Sequence, residues 1–132
     1  YIDNKIYSSI NCGMLIFLGI HANDTKENVQ YLVNKLRKLR MFRDQNKKMN
    51  LSIQDTDLSI MLVSQFTLYA NIKKGNRPSF IEAAKPEKAK SLYNFFIKEL
   101  NYYNFNLQTG KFGENMEISL INDGPNTFIV ES

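Results

Sequence analysis

Residues 116–130 have the sequence MEISLINDGPNTFIV. Two apolar, β-rich runs flank Asn-Asp-Gly-Pro there, a pattern typical of a hairpin except that Pro125 stands where a strand would resume. A Gly-Pro bond adopts the cis form at modest cost, because trans is preferred by only roughly 0.5–1 kcal/mol. A cis Gly124–Pro125 bond would point two backbone carbonyls the same way, whereas the simpler interpretation is an ordinary surface turn.

The length and composition predict a single domain covering residues 1–132. Hydrophobic residues make up 43% of the chain and are spread along it, which is enough for a core. One cysteine, Cys12, and one histidine, His21, exclude an internal disulfide and a Cys/His zinc cluster. We therefore expect a cytoplasmic protein without a metal or another cofactor. The sequence starts at Tyr1, and its first segment already has the pattern of part of a strand. We therefore also expect a short N-terminal strand to be missing.

Apolar periodicity predicts two helices, at residues 24–38 and 86–100, of which the second begins at Pro86 in the favoured first position. Strands are predicted at residues 14–20, 49–53, 60–69 and 105–109, with a hairpin tip in residues 1–7. The pattern predicts an α+β fold. In it, antiparallel strands form a curved, barrel-like pair of sheets, layered β-β-α, and the two helices cover one side.

The first predicted helix and the segment after it carry a basic cluster of Lys35, Arg37, Lys38, Arg40, Arg43, Lys47 and Lys48. A second basic segment is the loop Lys73–Arg77. Such charges usually form a solvated surface, and the alternative is a surface that follows the phosphates of a nucleic acid. The net charge of +4 is compatible with a polyanionic partner and does not decide between these interpretations.

The predicted strand at residues 60–69 changes from apolar residues to Ser64-Gln65-Phe66-Thr67. This change is typical of a strand that lines a cavity, or of polar groups that satisfy one another at a sheet edge. The sequence has no GxGxxG motif, no phosphate-binding GxxxxGK[ST] motif and no serine in a nucleophile elbow. His21 is either a general base or, more simply, a strand-end histidine with local hydrogen bonds. Ester hydrolysis promoted by fixed dipoles fits these residues, because an oxyanion can be stabilised without a protein nucleophile.

Three motifs resemble signatures of the D-aminoacyl-tRNA deacylase family, and the similarity covers nearly the whole chain. Residues 64–69 resemble the family's SQFTLY motif, residues 74–80 its KGxRPSF loop, and residues 122–127 its NxGPxT motif. The three occur in the family's order, with Gly-x-Phe-Gly at residues 110–113 before the last of them.

The resemblance implies a metal-independent carboxylic ester hydrolase that removes D-amino acids from tRNA in translational proofreading, and that could also clear glycine mischarged on tRNA. It implies a homodimer in which Gly124-Pro125 of one subunit completes the partner's active site and rejects L-amino acids. By the same resemblance the catalytic residues are Ser64, Gln65, Phe66 and Thr67. The substrate-binding residues are Asn122, Gly124, Pro125, Phe112 and Met116, the last two near the terminal adenosine.

Two points of the resemblance stay open on the sequence. Thr67 has no apparent base beside it, so we expect water to attack, helped by the ribose 2′-hydroxyl of the tRNA. Asn126 stands where the family usually has an aliphatic residue, and the family's N-terminal strand, whose arginine helps to brace the Gly-Pro segment, is absent from the sequence. The competing hypothesis is a noncatalytic tRNA-binding module that uses the basic helix and the Lys73–Arg77 loop.

Overall fold

The computed structural model describes residues 1–73 and 75–132, so Lys74 of the predicted basic loop lies outside the described residues. Its elements, in chain order, are β1 (Gly13–Leu18), α1 (Lys26–Lys38), β2 (Phe42–Arg43), β3 (Met49–Leu51), β4 (Ser59–Ser64), α2 (Pro86–Tyr102) and β5 (Leu107–Thr109). Single 3₁₀ turns lie at Ile53–Asp55 and Phe66–Tyr69. Both predicted helices are present, and each predicted bound lies within two residues of the observed one.

The main sheet has the order β1-β4-β5, and all of its strand pairs are parallel. Met14 lies opposite Ile60, and Ile60 lies opposite Leu107 on its other side. The prediction of antiparallel strands is therefore wrong for this sheet. The physical reason is that a helix crosses over between each pair of neighbouring strands, and such a connection returns the chain to the same end of the sheet. Among the described residues, the named strands pair antiparallel only in β2–β3.

Both helices lie on one face of the sheet, as predicted. Right-handed crossovers that add β4 and then β5 in the same direction place both connecting helices on the same side. Alternate residues of β1 and β4 point to that side, where they are buried against the apolar stripes of the helices. The shared core includes Ile16, Leu62, Val33, Phe96 and Leu100.

The opposite face of the sheet borders an apolar cleft of about 1170 Å³. Its floor includes Leu15, Phe17, Met61 and Val63, and the segment 116–130 borders it. The described strands form an open sheet and a separate two-stranded pair, so the predicted barrel-like closure is not observed.

The segment 116–130 contains no strand, contrary to the prediction of two flanking strands. Some of its apolar side chains reach solvent almost completely, since Ile121 is 97% exposed and Ile129 is 92% exposed. β-Propensity reflects a fit to a half-buried sheet surface. Among the described residues, the arms of this segment pair with another backbone segment only where Glu117 exchanges hydrogen bonds with Tyr1. The hairpin tip predicted in residues 1–7 is present, with Asp3 and Asn4 at φ of 49° and 60° between Ile2 and Lys5.

Tyr93 links α2 to the centre of the sheet and gives a test of this packing. Its side chain is buried and its hydroxyl donates to the Leu62 carbonyl at 3.2 Å. Burial raises the pKa of Tyr93 to about 12. Because the folded protein keeps this phenol protonated, its contribution to stability is complete below pH 10 and is lost as the pH rises towards 12.

We expect Tyr93→Phe to lower the free energy of unfolding by about 1 kcal/mol at pH 7, the usual net contribution of one hydrogen bond. The substitution should also reduce the loss of stability between pH 10 and pH 12. Urea unfolding at several pH values measures both effects, with Tyr102→Phe as the control because Tyr102 is 78% exposed. An equally steep alkaline loss in the Tyr93 variant would contradict the assignment.

Candidate active site

The three parallel strands end at the same edge of the sheet, and the predicted catalytic residues follow the middle one. In open parallel sheets, ligands bind at the carboxyl ends of the strands. Ser64 closes β4 and precedes Gln65, while Phe112 lies three residues after β5 and His21 three residues after β1. Chain topology therefore places side chains from three separate parts of the sequence at one edge.

Residues 66–69 form a 3₁₀ turn instead of continuing β4. The strand predicted at residues 60–69 therefore ends at Ser64, and the prediction is wrong beyond that residue. The Gln65 amide donates to the Leu18 carbonyl at 2.8 Å, which fixes the start of the turn against β1. A Cβ atom on Gly19 would lie 3.0 Å from Leu68 Cβ and 3.1 Å from the Tyr69 ring, so the turn packs directly on that glycine.

The turn exposes the side chains of Phe66, Thr67 and Leu68. Gln65 Nε2 donates to Thr67 Oγ1 in a short hydrogen bond. Thr67 is exposed, and the exposed Phe66 ring packs edge-on against Phe80 at 5.1 Å between centroids. Within the described part of the chain, no carboxylate or imidazole hydrogen-bonds to Thr67. The only side-chain partner found for its hydroxyl is an amide donor, which cannot accept a proton.

His21 has the local role that the simpler interpretation predicted. Its Nδ1 accepts from the Asn23 amide at 3.1 Å, and its ring lies 5.2 Å from the Tyr69 ring. Burial, reinforced by the charges of Asp24 and Glu131, raises the pKa of Tyr69, so this phenol stays neutral at physiological pH. The lone pair on Nδ1 is engaged, which argues against a general base at this nitrogen.

Two of the predicted substrate-binding residues lie near the end of β5. Phe112 is half-buried, with its ring 5.5 Å from the Tyr93 ring. Met116 is half-buried against Gly110, where a Cβ atom would lie only 2.6 Å from the methionine sulfur. Both residues are therefore held by the fold at the same edge as Gln65 and Thr67.

The predicted substrate-binding residues Asn122, Gly124 and Pro125 form a tight, exposed turn, and the Gly124–Pro125 peptide bond is cis. Within the turn, the Thr127 amide donates to the Pro125 carbonyl at 2.7 Å, and the Gly124 amide donates to the Asn122 carbonyl at 3.0 Å. The Thr127 hydroxyl lies 3.4 Å from Asn122 Oδ1. Neighbouring hydrogen bonds thus hold the turn in one shape.

Two further side chains attach this turn to the segment after α1. Arg43 donates through Nη2 to the Gly124 carbonyl at 3.1 Å, and Asn126 donates through Nδ2 to the Met41 carbonyl at 2.6 Å. Asn126 therefore replaces the expected aliphatic contact with a hydrogen bond. The sequence identified Arg43 only as one basic residue among several, because a contact between residues 81 positions apart leaves no local signal.

The Gly-Pro turn and the Gln65–Thr67 turn lie at opposite edges of the sheet. The chain leaves β1 at the carboxyl edge, and α1 must carry it back to the edge where β4 begins, because β1 and β4 are parallel. Met41 and Arg43 follow α1 at that second edge and hold the Gly-Pro turn there. The six residues of β4 separate the two edges by about 20 Å.

The predicted site residues therefore form two groups in one subunit. Ser64–Thr67, Phe112 and Met116 lie at the carboxyl edge, and Asn122, Gly124 and Pro125 lie at the other. No hydrogen bond or ring contact found among residues 1–73 and 75–132 joins the groups. In the same residues, no group of three His, Cys, Asp or Glu side chains is placed to hold a metal ion. No helix among them is long and apolar enough to span a membrane.

Known proteins resemble the chain over nearly its full length. A D-aminoacyl-tRNA deacylase of Fusobacterium nucleatum is 50% identical over 131 residues, which cover 99% of this chain and 87% of that protein. A D-aminoacyl-tRNA deacylase of Finegoldia magna is 54% identical over 125 residues, covering 95% and 84%.

Two solved structures share the fold. One, described as a c-Myc DNA unwinding element binding protein, superposes with a TM-score of 0.88 at 35% identity, covering 95% of this chain and 85% of that one. The other, described as a "probable eukaryotic D-amino acid tRNA deacylase", has a TM-score of 0.76 at 18% identity, covering 95% and 88%. The second likeness shows the fold alone.

The family model described as D-Tyr-tRNA(Tyr) deacylase matches residues 1–131. The three signature motifs lie within this match, and they include the 3₁₀ turn, Ser79, which pairs with Asn71, and the Gly-Pro turn. The chain belongs to the D-Tyr-tRNA(Tyr) deacylase family.

Proposed function

We propose that this protein hydrolyses the ester bond between a D-amino acid and tRNA, in the cytoplasm, and that Ser64, Gln65, Phe66 and Thr67 form its catalytic turn. The observation that carries the proposal is an exposed turn of fixed dipoles at the carboxyl edge of a parallel sheet. Family membership and the names of relatives at 50% and 54% identity support the same reaction.

The chemistry of the turn suits an activated ester. The amides of Phe66 and Thr67 begin the 3₁₀ turn and have no backbone acceptor among the described residues, so they are available to an oxyanion. Gln65 orients the Thr67 hydroxyl through their hydrogen bond. Because the described part of the chain offers no base to that hydroxyl, water is the nucleophile, assisted by the ribose 2′-hydroxyl beside the ester.

Selection against L-amino acids comes from the Gly-Pro turn of a second subunit. Within one subunit the two turns lie at opposite edges of the sheet, so a two-fold partner is needed to bring them together. Gly124 has no heavy atom within 4 Å of the place where a Cβ would stand, so the space beside it is open to a substrate. Its carbonyl and that of Pro125 face the α-carbon and ammonium group of the aminoacyl ester.

The arms of the Gly-Pro turn provide the surface for this homodimer. They expose Leu120, Ile121, Phe128 and Ile129 beside an open sheet face. Asn126 Oδ1 is buried and has no donor among the described residues, a cost of about 1–3 kcal/mol that a donor from the partner would remove.

Phe112 and Met116 lie beside the catalytic turn, where they contact the terminal adenosine.

A noncatalytic nucleic-acid-binding module is the second candidate. The description of the structure at 35% identity as a DNA unwinding element binding protein favours it, together with the basic cluster. Such a module would bind charged tRNA with salt-sensitive affinity and would release no amino acid.

The reaction itself separates the two candidates. We expect the protein to release D-tyrosine from charged tRNA at a rate at least 100-fold above that for L-tyrosine, because an L side chain would clash with the Gly-Pro backbone. Measuring amino-acid release from D-Tyr-tRNA, L-Tyr-tRNA and Gly-tRNA checks this and reports whether glycine is accepted. Binding of D-Tyr-tRNA without turnover would support the binding module instead.

The role of Thr67 can be tested by substitution. We expect Thr67→Ala to keep the single-turnover rate of D-Tyr-tRNA hydrolysis within about tenfold of wild type, because the hydroxyl is only one of several dipoles. Removal of a covalent nucleophile would lower the rate on the order of 10⁴-fold or more. A loss of that size, with an unchanged melting temperature, would show that Thr67 attacks the ester. Thr56→Ala is a control for threonine truncation, since Thr56 lies outside the turn.

A further inference from the structure

The β2–β3 hairpin, residues 42–51, carries a cluster of cations that the proposed reaction does not use. Arg43, Lys47 and Lys48 are exposed on it, and Arg40 joins them through hydrogen bonds from its guanidinium to the Asn50 carbonyl, at 2.7 Å, and to the Asn50 side chain. We call these four residues the basic hairpin. The described part of the chain shows no salt bridge to any of them, since the one found there joins Lys111 to Glu114.

The one carboxylate within the hairpin is occupied by other donors. Asp44 accepts from the amides of Asn46, at 2.8 Å, and Lys48, at 3.0 Å, and from Asn50 Nδ2 at 3.0 Å. These hydrogen bonds, that of the Lys48 amide first, hold the pKa of Asp44 below its usual range. Asp44 therefore shapes the loop and leaves the exposed ammonium groups of Lys47 and Lys48 available to an external anion.

The loop is also fixed in shape before any anion binds. The Asp44 amide donates to the Lys48 carbonyl at 2.8 Å, and the Lys47 amide donates to the Asp44 carbonyl at 2.9 Å. Lys47 sits at φ 60°, in the left-handed region. Cations on a preorganised loop lose less conformational freedom on binding than cations on a mobile tail.

The basic hairpin is joined to the Gly-Pro turn. Arg43 lies on β2 and holds the Gly124 carbonyl at 3.1 Å, and Asn126 holds the Met41 carbonyl just before that strand. In the proposed homodimer, the hairpin therefore lies beside the partner's active site together with the Gly-Pro turn. There the aminoacyl ester terminates a polyanionic RNA, and exposed cations next to an RNA terminus favour contact with its phosphates.

We propose that the basic hairpin binds the phosphate backbone of the tRNA acceptor end across the dimer interface. The subunit that supplies the Gly-Pro turn would then also bind the RNA. This inference rests on the proposed function and names the surface that recognises the RNA part of the substrate. One subunit would then hydrolyse the ester, while its partner selects the D-enantiomer and binds the tRNA phosphates.

The test removes two charges without disturbing the loop. Asn tolerates the left-handed conformation of Lys47, so the test variant is Lys47→Asn with Lys48→Gln. The matched control is Lys90→Gln with Lys98→Gln, two exposed lysines of α2. Two substrates are compared, D-Tyr-tRNA and the D-tyrosyl ester of adenosine, which has the same ester and no phosphate.

We expect the test variant to raise the KM for D-Tyr-tRNA about tenfold relative to the KM for the adenosine ester, with kcat for the tRNA little changed. Loss of two phosphate contacts should also reduce the slope of log(kcat/KM) against log[salt] by about 1.5. Equal effects of the test and control variants on KM, or an unchanged salt slope, would overturn the inference that the basic hairpin binds phosphates. Neither result would contradict the proposed hydrolase activity. Wild-type protein that hydrolyses neither ester would overturn the proposed function itself.

Discussion

The parallel pairing of β1, β4 and β5 is the constraint on which the rest of the structure depends. Parallel neighbours require the chain to return to the starting edge between strands, so α1 and α2 must run back along the sheet. This return separates the turn after β4 from the segment after α1, and therefore separates Thr67 from Gly124. A site that needs both turns then requires two subunits, which is the basis of the proposed homodimer.

The sequence predicted both helices, and the starts of β1, β3, β4 and β5 to within two residues, because their signals are local. Apolar spacing and Pro86 at the first helical position define the helices without reference to other segments. Strand direction could not be predicted in the same way, since a buried apolar strand has the same composition in parallel and antiparallel sheets. The arms at 116–130 were predicted as strands for a related reason: their composition suits a sheet, but within the described chain they pair with another backbone segment only where Glu117 exchanges hydrogen bonds with Tyr1.

The sequence proposes which residues form the candidate site but not how they are arranged. Motif resemblance identified Gln65, Thr67 and Gly124, while alternation wrongly extended β4 through residues that the structure folds into a 3₁₀ turn. The contacts of Arg43 and Asn126 with the Gly-Pro turn join residues more than 80 positions apart and have no periodic signal. Sequence could show that no His-based relay was evident. Among the described residues, His21 Nδ1 accepts from the Asn23 amide and the Thr67 hydroxyl accepts from the Gln65 side-chain amide, so no hydrogen bond found there joins His21 to Thr67.

The central claim, a site shared between two subunits, is tested most directly by mixing inactive subunits. Phe66→Pro removes a backbone amide of the proposed oxyanion site at the first position of the 3₁₀ turn, and Gly124→Ala places a methyl group in the open space reserved for substrate. Heterodimers that carry one substitution in each subunit should regain D-Tyr-tRNA hydrolysis at about half the wild-type rate, because one complete site forms across the interface. Heterodimers of the double variant with wild type should be inactive. The reverse pattern, activity only when both substitutions lie in one subunit, would contradict the shared site.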